Sequence, residues 1–429
     1  MFSIDARSLG YVDVAVCGGG IAGVCAAVTA ARNGSKVMLI EAGGCLGGTM
    51  TEGTIPYVID RDNKGGIVRE LYEFLEEHEM CCPRRGDKAD KNGKRIPGAI
   101  LDIEGAKYFF DKICREAGVR VLFHSRAAAV NHTLGHINKL LISTECGLYF
   151  LEAKIYIDAT GGGNLSCLVG CEWECGEPST GKPSPASVGM ATVGFPEEYN
   201  GTDSEEEKTA YGTLLEKRGI RVSSQQASIV KLPSLKTWDV SVNFQYDVMP
   251  DDIFSLSNAT YEGRRESFDV IHAHRQIPGY ENLSIVYTSS HIGIREGRRI
   301  QGVYRITDED IIEGRRFDDG ICLVTASVDV HKLNDDDTLN TSRGYRTKPY
   351  HIPYRSLLPK GSDNILLAGK CISGDFYPFS SYRMMGNMAA TGVAAGYAAS
   401  LCVKEDMLPR EVDGKRVKEY MWDYLHERN

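Results

Sequence analysis

Residues 11–23 read Tyr11-Val12-Asp13-Val14-Ala15-Val16-Cys17-Gly18-Gly19-Gly20-Ile21-Ala22-Gly23, and this stretch decides the fold class. Residues 11–17 form a short apolar run suited to a buried strand, and the glycines at 18, 20 and 23 follow at once in G-x-G-x-x-G spacing. An alanine-rich helix then runs to Arg32, Asn33-Gly34 ends it, and a second strand over residues 36–40 delivers Glu41. This is a complete βαβ unit with a glycine turn at its first crossing and an acid at the end of its second strand. Gly18 allows the tight turn, Gly20 keeps side-chain atoms away from a pyrophosphate, and Gly23 lets the helix pack close to the sheet. The helix N-terminus offers unpaired N–H groups and a positive dipole end to phosphates. Glu41 can accept hydrogen bonds from an adenosine ribose. A glycine-rich turn in an ordinary α/β domain is the bland alternative, but the register of strand, helix, second strand and acid favours dinucleotide binding.

Outward from this unit, Gly43-Gly44-Cys45-Leu46-Gly47-Gly48-Thr49-Met50 is a second glycine-rich run, too long for a simple turn. It suggests backbone lying against a flat or charged ligand. Residues 67–80 read as an amphipathic helix, and 81–97, with eight Lys, Arg or Asp residues, as an exposed loop. Asp102 is placed to cap a helix that runs to Ala117, before Gly118. Strands are expected at 119–123 and in a hairpin of 140–144 with 148–152. The apolar run 155–157 then leads into Asp158-Ala159-Thr160-Gly161. From 164 to 349 the texture changes to alternating strands, such as 238–248, with helices at 205–218 and within 251–275. No second dinucleotide motif appears there, which marks a separate domain. Parallel-sheet character returns with the strand 364–368 and Gly369. A helix dense in small residues follows at 384–403, then an amphipathic helix at 415–426.

The chain of 429 residues, with 42% hydrophobic and 25% charged content, is long enough for two or three domains around large cores. A net charge of -9 argues against nucleic-acid or anionic-membrane partners. Residues 1–10 lack an apolar run, and no stretch approaches the roughly 20 apolar residues of a membrane span, so a cytoplasmic location is expected. Thirteen scattered cysteines without a C-x-x-C suit a reducing compartment, with most acting as small hydrophobes. No metal site is expected: Cys81-Cys82 suits neither zinc nor an iron–sulfur cluster, and Asp335-Asp336-Asp337 reads as a loop.

Together these segments resemble the FAD-dependent oxidoreductases of the two-dinucleotide-binding-domain class, the broad glutathione reductase and succinate dehydrogenase-like superfamily. More narrowly, the chain resembles the bacterial family often labelled by distant similarity to heterodisulfide reductase. The motifs that carry the likeness are the 18–41 unit, residues 43–49, Asp158-Ala159-Thr160-Gly161, Ile294-Arg295-Glu296-Gly297-Arg298-Arg299, and the C-terminal run from Ile352 through Gly369-Lys370-Cys371 to Arg383 and Thr391-Gly392. The resemblance implies an α/β fold: a discontinuous Rossmann-like FAD-binding domain, residues 1–165 and 350–429, around an inserted α+β substrate domain, 166–349. It implies FAD as cofactor, with Gly18, Gly20, Ile21, Ala22 and Gly23 at the pyrophosphate and Glu41 and Ala42 at the ribose. Gly47, Gly48 and Thr49 would lie near the pyrophosphate and flavin, and Ala159, Thr160 and Gly161 would cross over the cofactor. Gly369 would approach the phosphate–ribityl region. The helix N-terminus at Gly386, Asn387 and Met388 would point at the flavin pyrimidine edge, where a positive dipole end stabilises reduced flavin. The chain departs from the family label in having no cluster-binding cysteine run, and it lacks a second nucleotide motif, so the electron donor or acceptor is unidentified.

A flavoenzyme also needs a proton donor or acceptor beside its substrate. His331 follows the apolar strand 321–328 and is the candidate, because histidine titrates near neutrality. Tyr354, Arg355 and Arg383 complete the expected catalytic group, with Tyr354 bonding substrate and the arginines clasping an anionic or polar group. For either arginine, a structural ion pair is the competing reading. Arg295, Arg298 and Arg299 would share a face if helical, as a solvated cluster or a contact to substrate or phosphate. Thr307-Asp308-Glu309-Asp310 is a helix cap. The expected function is hydride transfer between flavin and a small polar or anionic organic molecule, in either direction. The alternative is a flavin-bearing electron-transfer subunit or a structural flavoprotein without its own substrate. A homo-oligomer is left open.

Overall fold

Strand Arg7–Cys17 sits at the centre of the main sheet, between Val37–Ile40 on one side and Gly147–Asp158 on the other, all parallel. Arg120–Leu122 extends the parallel set beyond Val37–Ile40. Gly147–Asp158 is long enough to serve two further partners along its other edge. Its first half pairs antiparallel with His136–Thr144, and its last residues pair in parallel with Ile365–Leu367. The C-terminal strand therefore joins the same sheet as the N-terminal one. The computed structural model describes residues 5–83, 100–202, 204–220, 222–224, 227–234, 236–334 and 347–426; the charged stretch 84–97 and Asp335–Asp337 lie outside them.

The glycine turn enters helix Ile21–Arg32, whose inner face packs on helix Met385–Glu405. The two backbones nearly touch: a Cβ on Gly392 would lie 2.1 Å from the Ala22 carbonyl oxygen, and one on Gly396 would lie 2.2 Å from that of Ala26. This contact accounts for the run of small residues in the second helix. Asp102 caps helix Ile103–Glu116 by accepting from Gly105 N–H, and Thr307 with Asp310 forms a capping box on Asp308–Glu313.

The middle of the chain forms an antiparallel sheet in the order Ser228–Lys231, Trp238–Ser241, Met190–Val193, Ser284–Thr288. Helices Glu205–Glu216 and Ile253–His274 pack with it around a core that includes Met190, Trp238, Val240 and Val270. The strand expected over 238–248 stops at Ser241. Past it, the buried Asn243 replaces ladder bonding with its side chain, accepting from Val188 N–H at 2.9 Å and donating to the Val188 carbonyl at 2.8 Å. Residues 300–330, expected as part of the inserted segment, contribute Ile300, Ile306, Ile311, Ile321, Val324 and Val328 to the large core of the parallel sheet. Among the described residues, no helix is long and apolar enough to cross a membrane.

Candidate active site

A cavity of about 600 Å³ opens at the C-terminal ends of the parallel strands. One wall is Gly18, Gly20, Glu41, Ala42, Gly48, Thr49, Ala159, Thr160 and Gly161; the other includes residues 248–253, His291–Ile294, Arg298 and Lys370. The three motif glycines are distinguished by what surrounds them. Gly18 has φ +98°, and a Cβ there would meet the Ala159 carbonyl oxygen at 2.4 Å. A Cβ on Gly23 would lie 1.7 Å from the Gly18 oxygen. A Cβ on Gly20 meets nothing closer than Gly48 Cα at 4.0 Å, so its missing side chain leaves room in the cavity. Gly20 is also the N-cap of helix Ile21–Arg32, with no side chain capping it and no acid in the first turn. An uncapped helix end facing a cavity is an anion site.

Glu41 does more than wait for a ribose. Its carboxylate accepts from Gly19 N–H and from Gly43 N–H, tying the two glycine loops together. Gly47 N–H adds a bond to the Gly19 oxygen at 2.9 Å. The buried Asp158 shapes the crossing strand, with one oxygen bonded to Thr160 and the other to Ser166.

Beside this cavity lies a charged cluster. Arg383, the C-cap of helix Phe376–Tyr382, donates to the Asp329 carboxylate at 2.7 Å and to the Asp329 carbonyl at 2.8 Å. Its side chain is 10% exposed, and its Nε is buried with no hydrogen-bond partner among the described residues. His331 Nε2 lies 3.4 Å from the same carboxylate. The His331 ring is 5.0 Å from that of Phe244, and the Arg295 guanidinium stands 4.8 Å over the same Phe244 ring. Arg295 donates to Ser187 Oγ at 2.7 Å and to the Pro185 carbonyl at 2.9 Å. Lys370 connects cluster and cavity: it lines the cavity and donates to the carbonyl of Ile294, the residue before Arg295.

The electrostatics follow from this crowding. Burial and the Arg383 charge push Arg295 down to about 10. Burial, then Arg383, lowers Lys370 to about 8. Burial and the Arg295 charge lower His331, with Asp329 opposing, so its imidazole is neutral at neutral pH. Burial alone would raise Asp329, but its hydrogen bond with His331 and the Arg383 and Arg295 charges outweigh that and hold it well below the usual carboxylate range. Two guanidiniums thus act on one carboxylate, and the Lys370 ammonium lies in the field of Arg383. Glu296, which Lys370 also feels, is already paired with Arg299.

The family model described as FAD dependent oxidoreductase matches residues 13–421. The chain belongs to this family. FAD is its cofactor and oxidoreduction its chemistry. Solved structures similar to the enzyme include a geranylgeranyl bacteriochlorophyll reductase-like protein from Thermoplasma acidophilum, at 14% identity over 96% of this chain and 83% of that one, TM-score 0.48. Another is p-nitrophenol 4-monooxygenase from Pseudomonas putida, at 12% identity over 98% and 91%, TM-score 0.49. A flavin-dependent brominase matches at 15% identity over 97% and 83%, TM-score 0.49. No curated protein matches the chain.

The cavity suits FAD on its own geometry: an uncapped helix end, the open space at Gly20 and the acid at the second strand all face into it. Ile21, Ala22 and Gly23 form the first turn of the helix behind it. Gly369 sits further back, its N–H on Thr391 Oγ1 and its Cβ position 3.2 Å from Ala22 Cβ. Gly386, Asn387 and Met388 do not line the cavity. Residues 59–60 cover that helix end: Gly386 N–H donates to the Ile59 carbonyl at 3.0 Å, and Asn387 Nδ2 to Asp60 at 2.9 Å. Met388 is buried behind them.

Of the expected catalytic group, His331 and Arg383 are brought together on Asp329. Tyr354 and Arg355 are not with them. The Tyr354 side chain is buried, its hydroxyl donating to the Pro409 carbonyl at 2.8 Å. Arg355 pairs with Asp319 at 2.8 Å and stacks on Tyr304, so it is a structural ion-pair partner. The 295–299 arginines share no helical face, because Arg299–Ile300 is a strand paired with Trp173–Glu174. Arg298 instead reaches the Gly162 and Pro250 carbonyls at the cavity edge, and Arg299 is buried against Glu296. Asp329, Phe244 and Lys370 escape the sequence reading as site residues. Lys370 alone leaves a local sequence signal, a cation directly after the glycine that ends a parallel strand.

Proposed function

We propose that the enzyme transfers a hydride between its flavin and a small organic substrate carrying an anionic or strongly polar group, with His331 moving the accompanying proton. The observation that carries this reading is the excess of positive charge on Asp329, which Arg383 and Arg295 share, together with the buried Arg383 Nε that has no partner among the described residues. An uncompensated buried cation is costly, and an arriving carboxylate or similar group relieves that cost. Arg383 and Arg295 would bind and orient the anion, and guanidinium forks suit a carboxylate. Neutral His331 would accept a proton as an alcohol or amine is oxidised and return it in the reverse direction. Asp329 holds the imidazole in place and favours its protonated form once the proton has arrived. The bound flavin supplies the hydride acceptor or donor.

In the same proposal, residues 1–165 and 350–429 hold FAD, and 166–349 cover it and carry part of the substrate site. Support comes from Ile365–Leu367 in the N-terminal sheet and from the cavity wall at 248–253 and 291–294. The test is a stopped-flow screen of flavin bleaching and re-oxidation with matched pairs of carboxylates and their methyl esters. Carboxylates should react and their esters fail; esters reacting as fast would remove the anionic substrate from the proposal.

A further inference from the structure

Helix Ile253–His274 turns one face to its own core and, among the described residues, leaves the other uncovered. Ala259, Gly263, Glu266, Ser267, Val270 and Ile271 are buried. On the opposite side, Phe254, Tyr261 and Phe268 are 82%, 69% and 63% exposed. They are spaced by sevens, so they stand in one row that drifts by only about 20° per step. The row spans about 21 Å at the α-helical rise. Three large aromatic side chains in one exposed row are not the scattered apolar residues of an ordinary surface.

We infer that this row is a homodimer interface, in which the helix packs antiparallel against the same helix of a second copy, with Tyr261 near the two-fold axis. Antiparallel pairing about Tyr261 sets Phe254 of each copy against Phe268 of the other, so one patch is self-complementary, as an isologous contact requires. The charges agree. Asp251 and Asp252 precede the helix, and His272 and the C-cap Arg275 stand at its end, so antiparallel copies bring acidic ends to basic ends and oppose their dipoles. A parallel pair would set acid against acid. The area is also adequate. At 150–250 Å² per ring and the observed exposures, the three side chains offer on the order of 400 Å² per copy. Both copies together come close to the roughly 1,000 Å² of a specific interface before the flanking Ser257, Asn258, Arg264 and Arg265 are added. A membrane surface suits the row less well, because Asp251 and Asp252 precede the helix, Glu262 and Asp269 lie on it, and the chain carries a net charge of -9. The helix also begins in the cofactor cavity wall, at Asp252 and Ile253, so dimer formation would brace one side of that cavity.

Sedimentation of the FAD-loaded enzyme tests this. Wild type should behave as a particle of twice 47.2 kDa. Tyr261→Asp and Phe268→Asp should each shift it to the monomer with flavin content and far-UV circular dichroism retained. Tyr108→Asp removes a ring that is 62% exposed on another helix and should leave the dimer intact. Arg275→Glu should weaken the dimer several-fold, and more so at low salt. If Tyr261→Asp does not fold, Phe268→Ser carries the same test. A wild-type monomer at about 100 μM overturns the inference, as does a dimer that survives both aspartate substitutions. So does a monomer that co-sediments with phosphatidylcholine vesicles through this row.

Discussion

Gly20→Ala and Gly23→Ala differ by one methyl each, three residues apart, and should fail for different reasons. At Gly20 the backbone has φ -64° and ψ 176°, which any residue adopts, and the new methyl finds its nearest protein atom at 4.0 Å. The apoprotein should therefore melt within about 1 °C of wild type, since exposed substitutions without clashes usually change stability by under about 0.5 kcal/mol. The methyl does enter the cavity at the helix end, where the proposed FAD site would set the pyrophosphate. Losing one charge-assisted hydrogen bond there, worth about 1.5–3 kcal/mol, should weaken FAD binding about 10- to 150-fold. At Gly23 the methyl would sit 1.7 Å from the Gly18 oxygen, which is far inside contact distance, so helix or turn must move. Overpacking of this kind costs about 1–3 kcal/mol, partly offset by the roughly 1 kcal/mol helix preference of alanine over glycine. Gly23→Ala should thus lower both apoprotein melting temperature and FAD affinity. The assays are thermal unfolding of deflavinated protein and titration with FAD followed by flavin fluorescence. Wild-type FAD affinity in Gly20→Ala would refute the placement of the pyrophosphate at this turn, whatever the outcome for Gly23→Ala.

His331→Ala should lower turnover by about 10²–10⁴-fold at constant flavin content, and equal turnover would remove His331 as the proton-moving group. Arg383→Lys keeps the charge but loses the fork on Asp329 and should cut kcat/KM by about 10- to 150-fold, measured in steady state with an anionic substrate. Asp239 is buried, with one carboxylate oxygen lacking a partner among the described residues, and burial lifts it from 3.8 to about 8. The folded protein therefore keeps a proton there that the unfolded chain releases, so this group reduces stability by about 1.4 kcal/mol per pH unit between about pH 4 and 8. Asp239→Asn removes that dependence. Its melting temperature should exceed that of wild type by a margin that widens from pH 5 to pH 8, and a constant margin would show that Asp239 is ionised in the fold.

The first forty residues are legible because every part of their reading is local. The glycine spacing, the alanine-rich helix and the acid at Glu41 each act within a few residues of their place in the chain. Caps at Asp102 and Thr307 are legible for the same reason: a side chain bonds a backbone N–H three residues on. Strand Ser125–Thr133 escapes the sequence reading, because R-A-A-A-V-N-H has little strand preference of its own and is held by its hairpin partner. The covering of Gly386 by residues 59–60 is equally invisible, since it depends on a segment more than three hundred positions away.

The sequence by itself determined the nucleotide-binding unit, the FAD-dependent oxidoreductase family and the close packing of the small-residue helix. Local spacing carries that information, and steric contact enforces it. Only the tertiary structure decided which of the charged residues share a site. His331 and Arg383 meet on Asp329, Arg295 and Phe244 join them from another part of the chain, and Arg355 is spent on Asp319. A histidine or arginine looks the same in sequence whether it faces solvent, a scaffold carboxylate or a substrate. Its role depends on which distant charges folding brings within a few ångströms, and at that range burial and Coulomb forces replace sequence spacing as the deciding terms.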